Sequence, residues 1–125
     1  MNVVDSSGWL EYLTDSPNAD FFEAAIHAKA NLIVPAVCIF EVAKKVLQEK
    51  GETVMFTAVA MMRESQVVAI DENVALQAVA LSVRHKLPMA DSLIYAVARM
   101  HEAVLWTQDE HFENLPGVKF IPKKF

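Results

Sequence analysis

Asp5, Glu41, Asp91 and Asp109 each stand at the end of an apolar segment or one turn into a helix-forming stretch. Asp5 follows Asn2-Val3-Val4, Glu41 lies inside the run that starts at Pro35, Asp91 follows Leu87-Pro88-Met89-Ala90, and Asp109 follows Val104-Leu105-Trp106-Thr107. Carboxylates are hard oxygen donors, and several in a small volume are tolerable only where a divalent cation offsets their repulsion. A cluster of three or four would hold one or two magnesium or manganese ions, orient and acidify a water, and stabilise charge developing on a phosphoryl group.

Each of these residues also has a plain structural reading. Helical phase places Glu41 with Lys44, Lys45 and Gln48, opposite Ala43, Val46 and Leu47. That makes it a solvated residue, paired with Lys45 at i,i+4, unless this polar face looks into a cleft. Asp91 lies at the edge of a stripe carrying Ser92, Tyr95, Arg99 and Glu102, with Met89, Leu93, Ala96 and Met100 facing the other way. In a first helical turn it either satisfies free N–H groups or serves as a rigidly held ligand. Asp5 caps the next helix or faces a site. Asp109 forms an Asx-turn ahead of His111 and Phe112, or faces a site. Tyr95, one turn after Asp91, either packs or reaches the same cleft.

The elements that must position these groups are short. Strands are expected at Asn2–Val4, Leu32–Val34, Gln66–Ala69 and Val104–Trp106, with a short fifth at Lys119–Ile121. Helices are expected over 8–13, 19–29, 36–49, 52–63, 71–85 and 89–100, with Pro35 suited to a helix start and Gly51 to a break. Short strands separated by helices predict an α/β sandwich around a mainly parallel sheet of four or five strands. Ligands in such folds gather beyond the carboxyl ends of the strands, where Asp5 and Asp109 fall. No internal repeat, glycine-rich phosphate loop or cysteine–histidine cluster is present.

The 125 residues, 54% of them apolar, suffice for one core, so a single domain over 1–125 is expected. The one cysteine, Cys38, lies in an apolar stretch; it reads as a buried small hydrophobe, and a reducing setting is the default. Charge interrupts every apolar stretch well before a bilayer span, and the chain starts on a strand, so a soluble, cytoplasmic protein without membrane contact is expected. A formal net charge of -5 has the wrong sign for holding nucleic acid by bulk electrostatics. A polyanionic substrate then needs bound metal or a basic partner chain. Lys44, Lys45 and Lys50, with Arg84, His85 and Lys86, are either solvated faces or phosphate contacts. Met55, Phe56, Val59, Ala60, Met61 and Met62 make one helix apolar all round, more than a small domain can bury, and the surplus reads as an interface.

Four segments, in order, resemble the PIN-domain superfamily, and within it the small VapC-type ribonuclease toxins of toxin–antitoxin pairs. They are Val4-Asp5-Ser6-Ser7; Pro35 with Glu41; Asp91 with Ile94 and Ala98; and Thr107, Asp109 and Phe112 as a Thr-x-Asp-x-x-Phe motif. The resemblance implies a PIN-like three-layer sandwich. It implies endonucleolytic cleavage of RNA, dependent on Mg2+ or Mn2+ held by Asp5, Glu41, Asp91 and Asp109, leaving 5'-phosphate and 3'-hydroxyl ends. It also implies supporting hydroxyls at Ser6 and Thr107, a homodimer, and a groove for a cognate antitoxin built from the apolar helix after Gly51 and the segment from Trp9 to Phe22. Many relatives carry an acid where this chain has His111, whose imidazole would bind metal, contact phosphate or lie on the surface. Two other functions stay open: a PIN-like nuclease of RNA processing or DNA repair without an antitoxin, and a catalytically silent partner-binding or regulatory protein.

Overall fold

Five strands form one sheet in the order β3-β2-β1-β4-β5, every neighbouring pair parallel, in a computed structural model that describes residues 1–125. The strands are β1 (Asn2–Val4), β2 (Leu32–Pro35), β3 (Gln66–Val68), β4 (Val104–Thr107) and β5 (Val118–Phe120). Parallel strands need crossovers. These are α1 (Ser6–Leu13) with α2 (Ala19–His27), α3 (Ala36–Lys50) with α4 (Glu52–Met62), and α5 (Glu72–His85) with α6 (Met89–Met100). Short 3-10 turns cover Lys29–Asn31 and Glu110–Phe112. The α/β sandwich expected from the sequence is the fold observed, and its sheet is wholly parallel.

The middle strands are apolar on both faces, as a covered parallel sheet requires: Val3, Val4, Leu32, Ile33, Val34 and Leu105 are all buried. The chain winds outward from β1 to β3, then crosses back through α5 and α6 to place β4 on the other side of β1. The order therefore reverses between β1 and β4, where a crevice opens beyond the strand ends. No helix is long and apolar enough to cross a membrane.

Several sequence expectations change at the level of side chains. Trp9 and Phe22 belong to the core, so they are not interface residues. The middle of α6 is packed by α5, α3 and β4 together, so its two-faced periodicity misleads. Ser92 and Tyr95 are buried while Met89 and Met100 face solvent. The Tyr95 hydroxyl donates to the Pro116 carbonyl at 2.6 Å, in the core rather than in a cleft. Leu47, placed by phase on the apolar face of α3, is exposed. Helix α2 stops at His27, two residues early, because a 3-10 turn carries the chain into β2. Cys38 is fully buried as expected, and burial pushes its thiol pKa far up.

Gly8 lets α1 lie close to β1 and α2. A Cβ there would stand 2.6 Å from Phe22 Cε1 and 2.7 Å from Val4 Cγ1. Gly8→Ala is expected to destabilise the protein by about 1–3 kcal/mol through overpacking. The check is a urea titration, where the midpoint should fall with little change of slope.

Candidate active site

The crevice between β1 and β4 is where the four carboxylates meet. Asp5 directly follows β1, and its N–H donates to the Trp106 carbonyl at 3.2 Å, extending the ladder to β4. Its extended backbone ends the strand and caps α1, with Oδ1 accepting the Gly8 N–H at 2.9 Å. Ser7 Oγ donates to the same carboxylate at 2.9 Å, and Thr107 Oγ1 donates to Oδ2 at 2.7 Å. Asp5 thus caps a helix and lines a cleft at once. Only 3% exposed, its carboxyl is pushed up to about 7 by burial, against the pull of the Thr107, Gly8 and Ser7 hydrogen bonds; the Asp109 charge adds to the rise.

Thr107 is fully buried and works in two directions. While its hydroxyl donates to Asp5, its oxygen accepts the Asp109 N–H at 2.9 Å. One side chain thereby fixes both acids at the strand ends. Asp109 Oδ1 in turn accepts the His111 N–H at 2.9 Å, the expected Asx-turn, and caps the 3-10 turn.

Glu41 accepts a hydrogen bond of 2.6 Å from Ser6 Oγ. It does not pair with Lys45, which instead meets Glu49 at 3.0 Å. The polar face of α3 here looks into the cleft rather than into open solvent. Asp91 makes no capping hydrogen bond, though its charge lies in the first turn of α6, where the helix dipole favours it. Its carboxylate accepts from His111 Nδ1 at 2.8 Å. Burial raises the Asp91 pKa, with the His111 hydrogen bond opposing and the Asp109 charge adding.

Asp5, Ser6, Glu41, Lys45, Asp91 and Asp109 line one cleft of about 300 Å³. One ligand atom from each of Asp91, Asp109 and His111 lies within 4.8 Å of the others. Such convergence of one buried and three half-buried carboxylates, with two of their pKa values raised, is the environment a divalent cation relieves. The donor set fits magnesium or manganese. Lys45 on the cleft wall, and Lys123 in the adjoining groove of about 480 Å³ beside Ser7, Asp109 and His111, supply nearby positive charge.

One feature was left open by the sequence and another escapes it. His111 is no isolated surface residue, because the Asx-turn at Asp109 folds its ring back onto the acids; the predicted turn carried that signal. The second is a polar network behind the site. Glu11 accepts the Asn18 N–H at 2.8 Å and the Gln108 side-chain amide at 3.0 Å. The Asn18 amide donates to Gln108 Oε1 at 2.9 Å and to the Pro122 carbonyl at 3.0 Å. It ties α1 and the last residues to the segment that carries Asp109, and nothing in local periodicity marks it. Glu11→Ala is expected to cost about 1–3 kcal/mol for each buried donor left unpaired. Equilibrium unfolding checks this, and Glu11→Gln, which keeps one acceptor, should lose less.

Comparison with known proteins follows the same lines. The PIN domain profile matches residues 3–118. Among solved structures, a toxin–antitoxin complex from Klebsiella pneumoniae contains a chain 21% identical, with a TM-score of 0.79 over 95% of this chain and 96% of that one. A sarcin-ricin-loop-cleaving VapC toxin from Mycobacterium tuberculosis is 17% identical, with a TM-score of 0.79 over 94% and 97%. A chain of the DNA-bound VapBC complex from Salmonella typhimurium is 15% identical, with a TM-score of 0.75 over 98% of both chains. At these identities the likeness is one of fold. No curated protein matches in sequence.

Proposed function

Since the chain belongs to the PIN domain family, we propose that it is a divalent-metal-dependent endoribonuclease of VapC type, the toxin of a toxin–antitoxin pair acting in the cytoplasm. The observation that carries this reading is the meeting of Asp5, Glu41, Asp91 and Asp109 in one cleft at the carboxyl ends of β1 and β4. These four residues would hold magnesium or manganese. Bound there, the ion supplies Lewis acidity toward a phosphodiester and lowers the pKa of the attacking water. The protein's own part is to fix the carboxylates: Ser6 orients Glu41, and Thr107 orients Asp5 and the Asp109 backbone. Lys45 on the cleft wall and Lys123 in the adjoining groove would meet substrate phosphates. A small cleft on an acidic protein favours an extruded, single-stranded RNA loop over duplex. Products carry 5'-phosphate and 3'-hydroxyl ends.

The same reading provides for partners. Leu13, Val46, Val54, Ala58 and Met61 line a groove of about 490 Å³, with the exposed Phe56 on the same helix α4, a surface suited to an antitoxin's amphipathic segment. Leu76, Val79 and Val83 on α5 and Met89 on α6 are exposed and apolar, which supports a homodimer through that face. The nuclease reading is tested by incubating antitoxin-free protein with total RNA in magnesium, in manganese and with chelator, beside Asp91→Asn. Metal-dependent fragments with ligatable 5' ends, absent from the variant, are expected. Folded protein that cuts no RNA in either metal would overturn the proposal.

A further inference from the structure

We propose that His111 is a metal ligand of this site, binding through Nδ1 beside Asp91 and Asp109, and that its nitrogen biases the centre toward manganese over magnesium. The inference rests on the metal-dependent reading above and concerns a side chain outside the four carboxylates. Three observations support it. The Asp109 carboxylate accepts the His111 N–H and so sets the turn that aims the ring back at the acids. Nδ1 then lies 2.8 Å from Asp91 Oδ2 and 3.3 Å from Asp109 Oδ1, at the point where both carboxylates converge. The three ligand atoms fall within 4.8 Å of one another, close enough to share one ion.

In the metal-free protein the His111 ring and the Asp91 carboxylate are hydrogen-bonded at the point where an ion would sit, so binding exchanges that contact for coordination. The ring is more than half exposed, so the exchange needs no repacking. Imidazole suits transition metals, whereas magnesium prefers oxygen alone, and this decides the direction of the bias. An acid at this position would instead complete an all-oxygen set.

The test uses tag-free full-length protein loaded with manganese and read by pulsed electron paramagnetic resonance. The parent is expected to show modulation from a directly bound imidazole nitrogen. His111→Ala and His111→Asp should both lose it, which separates His111 from His27, His85 and His101. Manganese affinity should fall roughly tenfold or more in His111→Ala. Competition by magnesium should be markedly easier in His111→Asp than in the parent. Bound manganese without nitrogen modulation in the parent, or modulation that survives in His111→Ala, overturns this inference and leaves the metal-dependent reading standing. If no variant and no parent binds manganese even with RNA present, that reading falls and this one with it. Circular dichroism of each variant confirms folding, which an exposed position should not disturb.

Discussion

Asp5→Asn is expected to lower RNA cleavage by at least about a hundredfold while making the metal-free protein more stable at neutral pH. The two effects share one cause. The Asp5 carboxyl, ordinarily near 3.8, is pushed up to about 7 by burial. At low pH both folded and unfolded chains hold the proton, and nothing is lost. As pH rises from about 4 to 7 the unfolded chain gives its proton up first, so the folded state loses ground until Asp5 ionises near pH 7. At about 1.36 kcal/mol per pKa unit, the loss is on the order of 4 kcal/mol and is complete above pH 7. Asparagine has no charge to bury, and its carbonyl can still accept the Gly8 N–H and the Ser7 hydroxyl. The stability of Asp5→Asn minus that of the parent, measured by denaturant unfolding in chelator, should therefore climb between pH 4 and 7 and then level off. Saturating manganese should shrink the difference by stabilising the parent more than the variant. A pH-independent difference would sink the assignment of Asp5 as the strained acid.

The second large effect is expected at Thr107. Its hydroxyl is the sole side-chain link between Asp5 and the Asp109 backbone, and valine copies its shape without its oxygen. Thr107→Val leaves a buried carboxylate short of a donor and the Asp109 N–H without an acceptor, at a cost of about 1–3 kcal/mol for each. Metal affinity should drop about 10–100-fold, the usual penalty for losing a group that orients a ligand. Thr107→Ser should restore most of the affinity even if it packs less well. Manganese titration followed by calorimetry separates the cases: equal binding by the valine and serine variants would show that the hydroxyl orients nothing.

The strand ends and helix starts were legible to within two residues because each is announced locally. Helix α1 starts at Ser6, β2 and β4 each run one residue further, β3 stops one residue early, and β5 lies one residue earlier than expected. Apolar runs stop at Asp5 and Thr107, Pro35 precedes α3, and Gly51 divides α3 from α4. The PIN-domain identity followed from motifs at those same junctions. Side-chain direction was less legible wherever several elements cover one helix. On α6 the spacing of Tyr95 from Asp91 left both packing and the cleft open, and it is packing that holds: the ring is enclosed by the core and its hydroxyl finds Pro116. On α3, periodicity put Glu41 on the polar face correctly but could not say that this face meets Ser6 across a cleft. The Glu11, Asn18 and Gln108 network joins segments distant in sequence, and pairing of that kind leaves no periodic trace.

The hydrogen bond from Thr107 to Asp5 spans 102 positions of sequence. On a ribosome, Asp5 emerges first and waits for a partner that does not yet exist. At about 5–20 residues per second, that interval is roughly 5–20 s. Throughout it the nascent chain holds Asp5, then Glu41, then Asp91, but no assembled centre. On the nuclease reading proposed above, the chain cannot cut the message it is being read from until its penultimate strand has been made.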